Sequence, residues 1–287
     1  MQNLSPELLI EDSLELFSLP DIYFQVAEMI KDPRFSAEDM GKVISKDPGL
    51  SARLLRVVNS SYYGFQAKVD TISRAITIVG VEDLQNLVLA TSVIDKFSHI
   101  PSELVDMTDF WLRSVHCGVI AKLLAKENSV LHCERLFLTG LLHGLGSLVF
   151  YYKLPDKSLE VLLAANYNQR LIGGLEQEII GFTHADVGAA LIKNWGLPES
   201  LYEAIGCYLT PELAQVHKLD AYLLSLASRL ISLSEEGIAI TDILDEFPDA
   251  ALSIIRLDED LVEKVMQQAD EEFAQVFELM APSKRFH

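Results

Sequence analysis

The stretch SAEDMGKVISKDPGLSARLLRVVNS, residues 36–60, decides the fold. Ser36 stands three residues before Asp39, a spacing at which a hydroxyl and a carboxylate satisfy each other's orphan amides at a helix start. Met40, Val43 and Ile44 then supply an apolar stripe at helical period. Asp47 is placed to cap a second helix, with Pro48 at the first helical position, where a missing N–H costs nothing. Leu50, Leu54, Leu55 and Val58 form its stripe, so two helices meet at a tight corner.

The same signals recur on either side. Ile22, Val26, Met29 and Ile30 follow Pro20 and Asp21 at helical spacing, and that helix should stop before Pro33. A helix over Ile72 to Val79 ends at Gly80, a residue free to take the left-handed cap conformation, and Val81 to Phe97 makes the next. Further on, Asp109 is placed to cap a helix running to Lys126, a single helix is expected from Glu134 to Phe150, and Pro155 opens another. Thr183 caps His184 to Trp195 ahead of Gly196, Pro198 starts a helix reaching Tyr208, and a last core helix spans Asp220 to Ser234. No β-branched alternation with hairpin turns occurs. The expectation is an all-α, multi-helix bundle: an amino-terminal helical part over 1–100, a helical core over 101–235 and an acidic helical extension over 236–287. In that extension Leu261, Val265, Phe273, Val276 and Phe277 recur among the acids, as in an amphipathic helix packing on the body.

Composition narrows the function classes. Acidic residues outnumber basic ones 42 to 23, and the net charge of −19 repels a nucleic-acid backbone and an anionic membrane alike. Neither is an expected partner; proteins with basic faces are. Cys117, Cys133 and Cys207 show no C-x-x-C spacing and read as buried free thiols. The apolar run from Leu136 to Tyr152 is broken by His143, Gly144 and Gly146, which fits a buried helix and its end better than a membrane span. The first residues carry acids and no basic region ahead of the apolar ones, unlike a signal peptide, so cytoplasmic residence is expected. No G-x-S-x-G elbow or phosphate-cradling G-x-x-x-x-G-K-[ST] loop is present.

In their order and wording several segments resemble the HDOD family, a branch of the HD superfamily of metal-dependent phosphohydrolases. They are Ser36 to Ile44, Ser45-Lys46-Asp47-Pro48-Gly49-Leu50, Leu54 to Ser60, Ile72-Ser73-Arg74-Ala75-Ile76 and the Val79-Gly80 step. Active HD enzymes hold metal with a histidine on one helix, a His-Asp pair on a later one and a final Asp. By the resemblance His116 matches the first and His143 the histidine of the pair, but Gly144 replaces its aspartate and Ser228 stands where the final Asp is expected. Phe182 to Gly188 also resembles the related HD-GYP phosphodiesterases, although Cys207-Tyr208 replaces their later paired histidines.

The resemblance therefore implies a degenerate metal site, a relic pocket of His116, His143, Gly144, His184 and Ser228. No catalytic residue and no resident cofactor are expected, because two imidazoles without carboxylates hold a hard divalent cation poorly. Any metal would fall to His116, His143 and His184, with Asp186 or Glu178 as substitute carboxylates. The implied function is a bacterial regulatory module in signal transduction, acting through protein contacts. Asn59, Ser60, Tyr62, Tyr63 and the acidic tail are its expected contact surfaces. The alternative is a working metal-dependent phosphohydrolase, or a nucleotide or small-anion sensor using the old pocket.

Overall fold

The computed structural model describes residues 4–11, 17–60, 63–65, 68–98, 104–237, 249–252 and 254–280. Among these residues the chain is helical, with one short 3-10 turn at Pro211–Leu213 and no strand. Two compact units form, one from Met1–Ser18 with Pro101–Ala269 and the other from Leu19–Ile100 with Asp270–His287.

The smaller unit contains α2 (Asp21–Lys31), α3 (Ala37–Ile44), α4 (Pro48–Val58), α5 (Ile72–Val79) and α6 (Val81–Phe97), numbered after α1 (Pro6–Glu11) of the larger unit. The expected capping box is present: Ser36 Oγ accepts from the Asp39 amide at 3.2 Å, and the Asp39 carboxylate accepts from the Ser36 amide at 3.1 Å. Asp47 accepts from the Leu50 amide at 2.9 Å, so α3 and α4 are capped within four residues of each other's ends. The buried stripes Met40 with Ile44, and Leu50 with Leu54, Val57 and Val58, follow from those starts. Gly80 takes φ +102° and ψ 158°, not the left-handed α conformation, because it caps α5 and α6 together and must reverse the chain between them. Asn59 clamps the segment after α4: its side-chain amide donates to the Leu55 and Val69 carbonyls and accepts from the Val69 amide, all at 2.7 Å. Ser60 Oγ donates back to Val57 O at 2.6 Å, and the Tyr63 ring stacks on Phe65. Tyr62, expected at this surface, lies outside the described residues.

The larger unit contains α1 (Pro6–Glu11), α7 (Met107–Glu127), α8 (Glu134–Leu142), α9 (Leu145–Lys153), α10 (Pro155–Ala164), α11 (Gln169–Ile179), α12 (His184–Asn194), α13 (Glu199–Cys207), α14 (Lys218–Glu235) and α15 (Asp249–Leu252). Helix α16 (Glu259–Met280) begins here and runs past Ala269. Asp106, not Asp109, caps α7, accepting from the Thr108 amide at 2.6 Å and the Asp109 amide at 3.3 Å. The single helix expected over residues 134–150 is two, broken at His143 and Gly144. There the His143 Nδ1–H donates to Gly140 O at 2.5 Å, and the Ser147 amide donates to Gly144 O.

Glycines set the closest helix crossings. A Cβ on Gly140 would lie 2.6 Å from Gly118 backbone atoms on α7, and a Cβ on Gly146 would lie 1.9 Å from the His184 carbonyl oxygen on α12. Trp195, 6% exposed, donates from its indole N–H to the Phe17 carbonyl at 2.7 Å and so pins the start of the unit to the end of α12. At the other end Asn128 bonds the backbone of Arg256 in both directions, Lys264 pairs with Glu127 at 2.7 Å, and Leu261, Val262 and Val265 of α16 are buried. The acids Asp242, Asp245 and Glu246 of the expected tail lie outside the described residues.

All three cysteines are free, but only Cys117 is buried, with its thiol pushed up to about 12 by desolvation; Cys133 and Cys207 are half-buried rather than core. Among the described residues no helix is long and apolar enough to cross a membrane.

Candidate functional site

A cavity of about 700 Å³ opens in the larger unit, within the 300–1,000 Å³ range of small-molecule sites. Helix α7 lends it Phe110, Arg113 and Ser114, and the broken junction of α8 and α9 lends His143, Gly144, Ser147 and Tyr151. The turn into α11 brings Tyr167 and Arg170, the first residue of α12 brings His184, and Tyr208 follows α13. Along α14, Ser225, Ser228, Arg229 and Ser232 recur at three- and four-residue spacing, a polar stripe on a helix otherwise buried.

Glu176 of α11 is not among the lining residues but is buried beside them, 4% exposed and bonded to His184. Its carboxylate accepts from the His184 amide at 2.7 Å and from His184 Nδ1 at 2.5 Å. The capping box of Thr183 and Asp186 places that amide and ring together at the start of α12. Burial disfavours the His184 cation, but the charge and hydrogen bond of Glu176 outweigh it and raise the imidazole pKa above its ordinary value. His184 Nε2 meets the Tyr208 hydroxyl, whose own pKa burial pushes well above the usual phenol. His143, edge-on to the Tyr208 ring at 5.3 Å, is the opposite case. Although part of its surface meets the cavity, desolvation lowers its pKa to about 4, opposed by the bond to Gly140 O and helped by the charges of His184 and Arg113. It is neutral at pH 7, with Nδ1 protonated and Nε2 left as the acceptor nitrogen.

Of the expected pocket residues, His143, Gly144, His184 and Ser228 line this cavity together, while His116 is not among the lining residues. The cationic side chain that α7 presents there is Arg113, three positions earlier. Asp186 is committed to the Thr183 amide and hydroxyl at 2.8 Å each, and Glu178 is exposed on α11. Glu176 and the three arginines escaped the sequence reading, and Tyr208 entered it only with Cys207, in place of the paired histidines of the HD-GYP proteins. Glu176 had a signal, an acid falling at four-residue spacing between Ile172 and Ile180 on the apolar face of α11.

The donor set does not fit a divalent cation. A side chain at position 144 would meet the Phe110 ring, 3.1 Å from a Cβ there, so the ring leaves little room for a carboxylate at this position. Both bonds drawn to the Glu176 carboxylate come from His184, and the second nitrogen of that ring is taken by Tyr208. Among the described residues no three His, Cys, Asp or Glu side chains gather in a way that could hold a metal ion. Arg113 and Arg229 add positive charge to the same walls, which works against a metal and in favour of an anion.

The sequence matches the HDOD domain over residues 16–211, and the chain belongs to that family. An uncharacterized protein of Treponema pallidum (strain Nichols) is 29% identical over 192 residues, covering 65% of this chain and 36% of its own length. The chain thus spans about a third of that curated relative. Among solved structures, an HDOD domain protein of unknown function from Geobacter sulfurreducens superposes with a TM-score of 0.75 at 22% identity, covering 94% of this chain and 99% of its own. A candidate phosphohydrolase from Shewanella amazonensis SB2B gives 0.74 at 26% identity, over 95% and 98%. A candidate signal transduction protein from Marinobacter aquaeolei VT8 gives 0.69 at 24%, over 94% and 60%. The all-helical architecture is that of HDOD domain structures.

Proposed function

We propose that this chain is a non-catalytic regulatory module in signal transduction that acts through protein partners, on the frame of a degenerate HD metal site. The observation that supports it best is the pairing at the cavity wall: Gly144 in place of a carboxylate, with Phe110 against it, and Ser228 on α14. An HD-type hydrolase needs several anionic and imidazole ligands with one open position for water. Of the similar structures above, one is named for signal transduction and one for phosphohydrolase chemistry; the cavity's donors favour the first.

The last part of α16, with Asp270 and Glu271 exposed, offers a partner with a basic face a docking strip. Asn59, Ser60 and Tyr63 offer a second contact, with Asn59 tied to the Val69 backbone.

The test pairs elemental analysis of chelator-free protein with hydrolysis assays on generic phosphoesters and cyclic dinucleotides in added manganese. No stoichiometric metal and no turnover are expected. Metal at one equivalent that is lost in His143→Ala, together with turnover, overturns the reading. Charge reversal at Asp270 and Glu271 should weaken partner capture several-fold, because it removes the complementary charge without disturbing buried residues.

A further inference from the structure

The geometry points to the cavity as a binding site for a small organic phosphate, gripped by Arg113 and Arg229 with Arg170 nearer the mouth. The inference rests on the regulatory reading only in taking the anion as an effector and not a substrate.

Charge is the first argument. In a protein whose acids outnumber its bases 42 to 23, the cavity lining reverses the balance, with three arginines against Asp106 and Asp109. Asp106 is already occupied with the amides that start α7. The arginines come from three different helices, α7, α11 and α14, so the convergence belongs to the tertiary structure and not to one basic face. A guanidinium presents a planar fork of donors that matches phosphate oxygens in pairs.

The chain's own carboxylates already sit on two of these forks. Arg113 pairs with Glu235, and its second nitrogen donates to Ser232 Oγ at 3.3 Å; Arg170 lies 3.5 Å from Glu236. Glu235 and Glu236, at the end of α14, thus hold anionic oxygens where a ligand's phosphate oxygens would go. Neither pair is deeply buried, with side-chain exposures of 29–49%, so an incoming anion can displace them at modest cost.

Size and walls give the organic part. About 700 Å³ is far more than bare phosphate needs. Phe110, Tyr167, Leu171 and Leu209 provide apolar and aromatic surface beside the arginines, and Ser225 and Ser228 add hydroxyls along α14. The neutral His143 contributes an acceptor nitrogen for a ligand hydroxyl or amine.

The test is thermal unfolding and titration calorimetry of the full chain with inorganic phosphate, ribose 5-phosphate and adenosine 5′-monophosphate, against ribose and adenosine. At a hundredfold excess over Kd a phosphorylated organic probe should raise Tm by about 5 to 10 °C. Arg113→Ala and Arg229→Ala should each weaken binding tenfold or more, and Glu235→Gln should tighten it several-fold by removing the competing carboxylate. Arg113→Lys, which keeps the charge and loses the fork, serves if an alanine variant does not fold, and should also weaken binding. The inference is overturned if no phosphorylated probe shifts Tm, if adenosine shifts it as much as its phosphate, or if the arginine variants bind as the parent does. Recovering the probe intact keeps the effector role. Recovering it dephosphorylated leaves the site standing and sinks the regulatory reading.

Discussion

Replacing Gly146 by alanine should be among the most damaging single-methyl changes in the larger unit. The added Cβ would lie 1.9 Å from the His184 carbonyl oxygen, 2.7 Å from the Gly188 amide nitrogen and 2.9 Å from the His184 carbonyl carbon. Ordinary carbon contacts are about 3.5–4.0 Å, and every obstacle here is backbone, so α9 and α12 must part by more than 1 Å. Overpacking of a close-packed interior costs about 1–3 kcal/mol, and a clash with two stretches of backbone belongs at the top of that range, about 3 kcal/mol. For a unit of this size each kcal/mol moves Tm by roughly 2–4 °C, so thermal unfolding followed by circular dichroism should show a fall of about 6–12 °C. Gly174→Ala is the internal control: the residue is exposed within α11 and an added Cβ meets nothing within 4 Å. There the lower helix cost of alanine should stabilise by about 0.5–1 kcal/mol. A Gly146→Ala protein melting within 2 °C of the parent would refute the close-approach argument.

Stability should pass through a maximum near pH 6.5. Between pH 6.5 and about 4 the unfolded chain takes up a proton on His143 that the folded chain refuses, so stability falls on acidification by up to about 3 kcal/mol. His184 works the other way, since its raised pKa gives stability that is present below pH 6.5 and lost as pH rises through the folded value. Urea titrations from pH 4 to 8 should show both limbs, and Glu176→Gln should flatten the alkaline one; an alkaline limb of unchanged slope in that variant would contradict the assignment to His184. Arg135→Ala strands the Asp220 carboxylate, 5% exposed and bonded to Nε and one Nη of the guanidinium at 2.9 and 3.0 Å, and should cost about 3 kcal/mol by denaturant midpoint. Trp195→Phe removes the donor to the buried Phe17 carbonyl and should cost about 1–2 kcal/mol; a loss below a few tenths would mean that bond contributes little.

What could be read along the chain was whatever depends on neighbours within a few residues. The Ser36 and Thr183 capping boxes, the Asp47-Pro48 start and the apolar stripes of α3, α4 and α14 each act over one helical turn, so residue order alone determines them. The misplacements were of the same local kind but close to balance. Asp106 and Asp109 are both competent caps, and His143 and Gly144, although they interrupt the apolar run, left a single helix to residue 150 expected where the structure has two.

The cavity is different in kind. Glu176 and His184 are eight residues apart, His184 and Tyr208 twenty-four, and Arg113 and Glu235 one hundred and twenty-two. Which of them meet depends on how closely α7 passes α8 and α9 passes α12, distances fixed by Gly118, Gly140 and Gly146. Periodicity records that α7 has a buried face, but His116 and Arg113 lie three residues apart on it, less than one turn. The choice of Arg113 for the cavity wall comes from the rotation of α7 against its neighbours. Sequence by itself therefore determined most of the helices and their caps, and set Gly144 and Ser228 at the positions where the family resemblance expects carboxylates. The tertiary packing decided that three arginines, His184 and Tyr208 share one cavity with Gly144 and Ser228, with Glu176 buried behind His184, because side chains far apart in sequence are brought together only by helix crossings that no local signal encodes.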